Sequence, residues 1–350
     1  MRYKAAYLCG PNDLQLKEME IPTIGRNQVL VKLKAAGICG SDVECYLGKS
    51  KEGRYDIAPY VPGHEWSGEI VDKGEDVLNL RKGDRVTGDC VLHCGKCDNC
   101  KSNLSPAACK NMREVGFMPN SPGGMGEYLV LEESYLHRFD DDMSYEEGAL
   151  IEPFSVSYFA LWGHGGHVDA SDDVVVFGAG PIGLFAAIIA KVAGSRVIVV
   201  EPIEYRRQIA KKLGINEVLN PKVENVKAAI LDLTAGRGAD LVVEASGTDA
   251  AIASSVEVAG HSGRVRLVGH SIGRKVPVEI GMVIWKSLSV TGQAGSPFAF
   301  PKTIRFMHSA RKMIDYSQII TNRFPLEKVH EAFNFAVQER EKAIKVMVTM

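Results

Sequence analysis

Four cysteines that lie close together in the chain have the spacing of a metal site. Cys94, Cys97 and Cys100 repeat at every third position, and Cys109 follows nine positions later. Four thiolates on one short loop match the closed tetrahedral set of a structural zinc ion, whereas four free thiols in a polar segment would be open to oxidation. An iron–sulfur cluster also takes four cysteines, but the spacing fits neither ferredoxin pattern. We therefore predict a structural zinc site.

A second set of possible metal ligands is dispersed along the chain. A thiol, an imidazole and two carboxylates stand in glycine- or proline-marked turns, at Cys39, His64, Glu65 and Glu152. A catalytic zinc needs about three protein ligands and one open position. Each residue also has an ordinary interpretation, as a buried thiol, a core histidine or a carboxylate at a helix N-terminus. Spacing alone does not decide between these interpretations.

A glycine-rich turn has the pattern that binds the pyrophosphate of a dinucleotide. This G-x-G-x-x-G lies between a strand-like run at 173–177 and a helix-like run at 184–193. The first glycine permits the turn, the second admits the phosphates, and the third lets the helix pack on the strand. A glycine turn without a cofactor is the plainer alternative. The flanking elements favour a cofactor site formed by Gly178, Gly180, Pro181, Ile182 and Gly183.

Glu201 ends the next strand-like run, near the spacing expected from the glycine turn. A carboxylate there accepts hydrogen bonds from the ribose 2′-hydroxyl and repels a 2′-phosphate, which favours NAD over NADP. Arg206 and Arg207 follow, and they would serve a 2′-phosphate if they turned inward, although arginines that open a surface helix are more often solvated. We expect NAD as the cofactor and place Arg206 among the residues near it.

The elements that position these residues change in character along the chain. Before residue 150, short β-branched runs at 29–33, 68–71 and 84–86 alternate with Gly, Pro and Asp, which indicates a bent antiparallel or barrel-like sheet. From residue 172, strands and helices alternate as in a doubly wound parallel α/β sheet. Strands are expected there at 173–177, 196–200, 241–244 and 265–268.

This change predicts two domains. We expect residues 1–155 and 297–350 to form the mostly β domain, because a helix and a strand ending at 343–348 can return to it. Residues 156–296 would form the α/β domain. The Cys94–Cys109 loop belongs to the first domain, as a lobe.

Composition narrows the possible partners and the compartment. The chain has 41 Lys plus Arg and 43 Asp plus Glu, which gives no electrostatic reason to expect nucleic acid. It has no apolar run long enough for a membrane span and no export signal at its start, so we expect a cytoplasmic protein with no membrane partner. Four of its eight cysteines crowd into residues 94–109, and in that setting these four are expected to bind metal rather than to form disulfides. Cys45 and Cys90 are expected to be ordinary core thiols.

Together these motifs resemble the zinc-containing medium-chain dehydrogenases, and most closely their polyol, sorbitol dehydrogenase-like branch. The resemblance covers nearly the whole chain. Beside the four-cysteine lobe, it rests on GICGSD (37–42), PGHEWSG (62–68), GGMGEY (123–128), LIEPFSVS (150–157), GAGPIG (178–183), EASG (244–247) and RFPLEKVHEAF (323–333).

The resemblance implies a fold and a set of roles. It implies a GroES-like catalytic domain joined to a Rossmann cofactor domain, and a catalytic zinc held by Cys39, His64 and a glutamate. Glu65 or Glu152 would be the ligand or its neighbour, since the family shows both arrangements. Ser41 would pass the alcohol proton. Glu152 stands where classical alcohol dehydrogenases have a cysteine, which favours polyols.

The chain departs from the family pattern at two places. Eight residues separate Cys100 from Cys109, one more than is usual, so the lobe must bulge. Glu44 stands where many members have a histidine that relays protons to solvent. The relay beyond Ser41 therefore differs here.

The function that follows from this resemblance is hydride transfer from a secondary alcohol to NAD, giving a ketone. A polyol, a cyclitol or a sugar acid would suit the site. The alternatives are an amino-alcohol dehydrogenase of the threonine dehydrogenase kind and a catalytically inactive NAD-binding relative. The resemblance also implies a homodimer or homotetramer joined through the cofactor domains near Val290.

Overall fold

The computed structural model describes residues 2–49, 58–102, 105–163, 166–269 and 273–350. The chain divides into two compact units. The first comprises Met1–Glu152, Phe300–Ser309 and Ile320–Met350, and the second comprises Pro153–Ala299 and Ala310–Ile319. We call them the catalytic unit and the cofactor unit.

The helices and strands follow in chain order. The strands are β1 Arg2–Gly10, β2 Asp13–Glu20, β3 Gln28–Ile38, β4 Glu65–Lys73, β5 Arg85–Gly88, β6 Val91–Leu92, β7 Arg113–Glu114, β8 Tyr128–Glu132, β9 Leu136–Arg138, β10 Asp173–Phe177, β11 Arg196–Val200, β12 Glu217–Leu219, β13 Ala239–Glu244, β14 Ala259–Leu267, β15 Ser289–Gly292, β16 Ile320–Pro325 and β17 Lys345–Thr349. The helices are α1 Gly40–Tyr46, α2 Asp98–Lys101, α3 Tyr145–Trp162, α4 Pro181–Val192, α5 Glu204–Lys212, α6 Val226–Leu233, α7 Asp249–Val258, α8 Ile280–Trp285, α9 Phe300–Ala310 and α10 Val329–Gln338.

The catalytic unit is built on a mostly antiparallel sheet. Its strand order is β16-β17-β3-β4-β5-β9, and β8 pairs with β3. The long strand β3 therefore contacts β4, β8 and β17. Alternating side chains of β3 and β4, such as Val31, Leu33, Trp66 and Ile70, are fully buried in one apolar cluster. The ends of these strands carry the candidate metal ligands.

The cofactor unit is a parallel sheet in the order β12-β11-β10-β13-β14-β15. Every residue of β10 is buried, as expected for an inner parallel strand with both faces covered. The strand order reverses between β10 and β13, and such a switch point opens a crevice at the carboxyl ends of the strands. The Gly178–Gly183 turn begins at that edge, directly after Phe177.

Two sequence expectations need correction. We expected Glu152 in a short turn or at a helix N-terminus, but it lies within α3, whose interior contains Pro153. We expected residues 297–350 to return to the first domain without a break, but Ala310–Ile319 belongs to the cofactor unit. There the Tyr316 ring packs edge-on against Phe154, with centroids 5.8 Å apart, which explains why this segment stays with the second unit. No described helix is long and apolar enough to cross a membrane.

Candidate active site and cofactor loop

Three of the dispersed candidate ligands meet in the catalytic unit. One side-chain atom each of Cys39, His64 and Glu65 lies within 4.8 Å of the others. His64 and Glu65 are buried, and Cys39 is partly exposed. A thiolate, an imidazole and a carboxylate at this separation form a donor set that zinc accepts, and the partly exposed side leaves room for a further ligand.

The end of β3 and the start of α1 place Cys39. Cys39 is the N-cap residue of α1, and its backbone N–H donates to the Asp42 carboxylate at 2.9 Å. The other oxygen of Asp42 lies 3.6 Å from Nδ1 of His64. Burial alone would lower the pKa of His64, but Asp42 and Cys39 outweigh it and hold that pKa well above its ordinary value. Asp42 therefore holds the backbone of Cys39 in place and places a negative charge beside the His64 ring.

A glycine turn strapped by a second segment places His64. Gly63 has φ +97°, in the left-handed region that glycine adopts without strain. The backbone N–H of Gly124 donates to the Gly63 carbonyl at 2.7 Å, and that of Met125 donates to the Pro62 carbonyl at 3.0 Å. The GGMGEY motif thus stabilises the turn that carries His64, through these two backbone hydrogen bonds.

A buried lysine holds Glu65. Both carboxylate oxygens of Glu65 accept from Nζ of Lys345, at 2.6 and 2.5 Å, and the same ammonium donates to the Ile38 carbonyl. The two side chains are 1 % and 2 % exposed. A Cβ at Gly37 would lie 2.1 Å from Oε2 of Glu65, so only glycine leaves room for this carboxylate. Burial opposes the charge of Lys345, but Glu65 outweighs it and raises the pKa of the lysine.

Glu152 lies beside the three-residue group without joining it. Its carboxylate accepts from the thiol of Cys90 at 3.6 Å. Burial, with the nearby charge of Glu65, raises the pKa of Glu152 to about 7. The expectation that Cys90 is an ordinary core thiol was incomplete, because this thiol contacts a candidate site residue.

The residues of the expected proton relay lie on α1. Ser41 is partly buried in its first turn, and Glu44 is exposed one turn later. The ring of Phe117 lies 4.9 Å from that of His64, centroid to centroid, so an apolar wall adjoins the candidate metal position.

The four-cysteine lobe comes together as its spacing predicts. One sulfur from each of Cys94, Cys97, Cys100 and Cys109 lies within 4.8 Å of the others. Backbone N–H groups point at the sulfurs, among them that of Cys94 toward Cys109 at 3.2 Å. Two such N–H groups, at Lys96 and Cys97, lower the pKa of Cys94 to about 6. Backbone N–H groups also lower the pKa of Cys97, whereas burial and the neighbouring sulfurs raise the pKa of Cys100 to about 12. Four sulfurs this close fit a tetrahedral zinc ion, and the extra residue in the loop does not separate them.

The glycine turn in the cofactor unit has the space that a pyrophosphate requires. Gly178 has φ +97°, and a Cβ at Gly183 would lie 1.9 Å from the Gly178 carbonyl oxygen. A Cβ at Gly180 would have Nη1 of Arg206 as its nearest neighbour, 3.9 Å away, so the space above this glycine is open. Gly180 is the N-cap of α4 and Pro181 its first residue, so the helix dipole faces this space. The turn therefore fits a dinucleotide phosphate.

Glu201 lies at the edge of the same turn and is largely buried. One carboxylate oxygen accepts from the backbone N–H of Ala179 at 2.7 Å, and the other accepts from that of Ile203 at 2.8 Å. Arg207 turns back to donate to the Glu201 carbonyl. Of the two arginines, Arg206 is therefore the one that lies over the phosphate loop.

Sequence reasoning missed two residues of the site. Lys345 lies 280 positions from Glu65, and nothing in a lysine at the start of a C-terminal strand signals this pairing. Cys90 stands four residues before the cysteine cluster, and its position in the sequence gives no sign of its contact with Glu152. Asp42 was part of a quoted motif, but its two contacts required the fold.

Comparisons with known proteins identify the family. A family model described as "Alcohol dehydrogenase GroES-like domain" matches residues 25–141, and one described as "Zinc-binding dehydrogenase" matches residues 181–309. Sorbitol dehydrogenase of Bacillus subtilis is 30 % identical, covering 99 % of this chain and 96 % of its own. D-arabitol-phosphate dehydrogenase of Enterococcus avium is 30 % identical over 97 % and 94 %. L-threonine 3-dehydrogenase of Proteus mirabilis is 32 % identical over 91 % and 92 %.

Solved structures show the same fold. 2R,3R-butanediol dehydrogenase from Bacillus subtilis has a TM-score of 0.88 and 29 % identity, covering 99 % of both chains. An alcohol dehydrogenase from Escherichia coli complexed with NADH has a TM-score of 0.89 and 30 % identity, covering 100 % of this chain and 99 % of its own. A zinc-binding dehydrogenase from Sinorhizobium meliloti bound to NADP has a TM-score of 0.89 and 26 % identity, covering 100 % of both.

These findings confirm the predicted two-part fold, a GroES-like part and a Rossmann part with a cysteine lobe. The relatives include polyol-type dehydrogenases and threonine dehydrogenases. The threonine dehydrogenases do not support their substrate class better than the polyol-type relatives support theirs. The chain belongs to the zinc-dependent medium-chain dehydrogenase family and is an oxidoreductase that acts on alcohols.

Proposed function

We propose that this protein oxidises a secondary alcohol of the polyol, cyclitol or sugar-acid type to a ketone, with NAD as the hydride acceptor. The observation that carries the proposal is the convergence of Cys39, His64 and Glu65 in a chain that also has an open glycine turn. The similarity to sorbitol and arabitol-phosphate dehydrogenases supports the substrate class.

The residues that would hold the catalytic zinc are Cys39, His64 and Glu65, with Glu152 beside them. When bound, zinc supplies Lewis acidity to a substrate hydroxyl, and the nicotinamide supplies the hydride acceptor. Ser41 would relay the hydroxyl proton, accepting it while releasing its own hydroxyl proton toward solvent, and the carbinol carbon gives up its hydrogen with both electrons. Asp42 and Lys345 hold ligands in place, and Phe117 limits water on one side.

The preference for NAD rests on Glu201. Its carboxylate oxygens each accept one backbone N–H and keep further lone pairs, which suit ribose hydroxyls. The same charge repels a 2′-phosphate. Arg206, above Gly180, provides an opposing attraction, so the preference is a balance between two charged side chains.

The test is NADH formation by the purified protein across polyols, cyclitols, sugar acids and amino alcohols. Each substrate is run with NAD and with NADP, with and without a zinc chelator. We expect chelator-sensitive turnover of one polar alcohol group, faster with NAD. Cys39→Ala should lose one zinc per chain and all turnover. Cys9→Ala changes a thiol outside the two metal groups and should keep the wild-type zinc content and turnover. Full activity in zinc-depleted protein would exclude the proposed chemistry.

The threonine dehydrogenase alternative has the support of a curated relative of similar identity. It requires recognition of an amino and a carboxylate group on the substrate. Selective turnover of an amino alcohol bearing a carboxylate, with polyols inert, would favour it.

A further inference from the structure

Among the described residues, the buried Arg266 of the cofactor unit has no acidic partner. Arg266 on β14 is 4 % exposed, and its Nε makes no hydrogen bond. No ion pair of Arg266 occurs in the described part of the chain. Because a buried charge is normally paired, an unpaired arginine inside a parallel sheet is costly and needs a reason.

The strand pattern shows how unusual this position is. Val265 belongs to the apolar cluster on one face of the sheet, so Arg264 and Arg266 lie on the other face. Arg264 finds a partner, since its guanidinium lies 2.6 Å from the Asp172 carboxylate. Arg266 has a cationic neighbour instead. Burial, with the charge of Arg264, lowers the pKa of Arg266, but an arginine stays charged at neutral pH.

The register places Arg266 close to the cofactor edge of the sheet. Arg266 pairs with Val243 on one side and with Thr291 on the other. The next residue, Leu267, lies in the last rung with Glu244, and Glu244 pairs with Phe177, after which the glycine turn begins. Arg266 is therefore one residue below the edge where dinucleotides bind.

The strand order assigns the two halves of the cofactor to the two sides of the switch point. The glycine turn and Glu201 follow β10 and β11, which are the strands of the pyrophosphate and adenosine half. The nicotinamide half then lies over β13 and β14. Strands are spaced about 4.8 Å apart, so Arg266 lies roughly 5 to 10 Å from the switch point.

We propose that Arg266 biases cofactor binding toward the reduced form. The nicotinamide ring of NAD⁺ carries a positive charge, which an uncompensated arginine repels, whereas the ring of NADH is neutral. During turnover the carbinol carbon gives a hydride to the ring, the hydroxyl gives its proton to the protein, and the ring charge is lost. Arg266 therefore favours the side with ketone and NADH. The inference rests on the proposed function, because it takes NAD as the cofactor.

The size of the effect follows from Coulomb's law. At an effective dielectric constant of about 20, the repulsion between two unit charges about 10 Å apart changes a binding constant on the order of tenfold. Water in the crevice screens the charges and makes the effect smaller. We expect the ratio of Kd for NAD⁺ to Kd for NADH to fall roughly threefold to tenfold when the charge is removed.

The experiment measures the dissociation constants of NAD⁺ and NADH separately, by calorimetry, on the full-length zinc-loaded protein. The variants are Arg266→Met, which keeps most of the volume, and Arg266→Gln, which keeps hydrogen-bonding groups if the first does not fold. Arg196→Met is the matched control. It also removes one positive charge from the same sheet, but at the opposite edge, where Asp173 keeps Arg237 as a partner.

A lower ratio in the Arg266 variants, with an unchanged ratio in Arg196→Met, supports the inference. An unchanged ratio in a folded Arg266 variant that binds both cofactor forms overturns it. Wild-type protein that binds neither form would instead contradict the proposed function, so the two failures are distinguishable.

Discussion

At the residue scale, the candidate active site depends on how each buried charge is compensated. Glu65 is held by Lys345, and His64 is held by Asp42. Burial raises the pKa of Glu152 to about 7, toward the neutral form, and its carboxylate accepts a hydrogen bond from the Cys90 thiol. Glu65 lies in the three-residue group with Cys39 and His64, and its carboxylate forms an ion pair with Lys345. We therefore propose Glu65 as the third zinc ligand and Glu152 as its neighbour.

Replacing Lys345 by Met tests this compensation. The change leaves the Glu65 carboxylate buried without its counter-ion, so we expect zinc-depleted protein to lose about 3 to 5 kcal/mol of unfolding free energy. Urea unfolding of the zinc-depleted protein measures this loss. The double variant Glu65→Gln with Lys345→Met has no such orphaned charge and should recover part of the stability. A double variant as unstable as the single one would show that Lys345 acts by packing rather than by charge.

At the element scale, two glycine turns set the positions at which chemistry can occur. The turn at Gly63 places His64 at the start of β4, and the turn at Gly178 joins β10 to α4. A Cβ at Gly123 would lie 2.3 Å from the Gly63 carbonyl oxygen, and a Cβ at Gly183 would lie 1.9 Å from the Gly178 carbonyl oxygen. The precision of each site therefore belongs to strand and helix ends held by close backbone contact.

Gly183→Ala tests this principle in the cofactor unit. The new methyl group would lie 1.9 Å from the Gly178 carbonyl oxygen, so α4 must shift away from β10. We expect the affinity for NADH to fall at least about tenfold, with a loss of about 1 to 3 kcal/mol in stability, from fluorescence titration and urea unfolding. Gly281→Ala, in α8 with open space around it, should bind NADH as wild type does. Equal affinities in the two variants would contradict the tight-contact argument.

At the scale of the whole molecule, the cofactor unit has an open edge with apolar neighbours. In the strand order of the described residues, β15 is the last strand, and α8 precedes it. Ile280, Ile284 and Trp285 on α8 are largely exposed, and Val290 on β15 is partly exposed. An unpaired strand edge with an exposed apolar patch is typical of an interface. We expect a second copy of the chain to cover it.

Trp285→Glu tests the expected homo-oligomer. Trp285 is 74 % exposed, so a charge there costs an isolated chain little but would be buried in an interface. Light scattering after size exclusion should give a dimer or tetramer for wild type and mostly monomer for the variant. Leu78→Glu, at a highly exposed leucine of the catalytic unit, should keep the wild-type mass. A wild-type monomer would show that this edge is not an interface at the concentration used.

Much of this protein was determined by local sequence. The cysteine spacing of the lobe, the glycine turn with its flanking apolar runs, and the alternation of strands and helices all carry their physical cause within about thirty residues. For that reason the fold class and the lobe could be predicted, and the structure brings the four sulfurs together. The dispersed ligands were predicted only as a hypothesis, because Cys39, His64, Glu65 and Glu152 have plain structural uses as well.

Tertiary structure decided what depends on distant partners. The proposed preference for Glu65 over Glu152 depends on Lys345, which reaches Glu65 because β17 pairs with β3 and β3 pairs with β4. The helical setting of Glu152 overrode the turn that Pro153 suggested, because α3 is buried around it. The sequence shows Arg266 as an ordinary strand residue, and only the fold shows that it is buried with no counter-ion among the described residues. Charge compensation is a property of neighbours in space, and sequence order does not specify those neighbours.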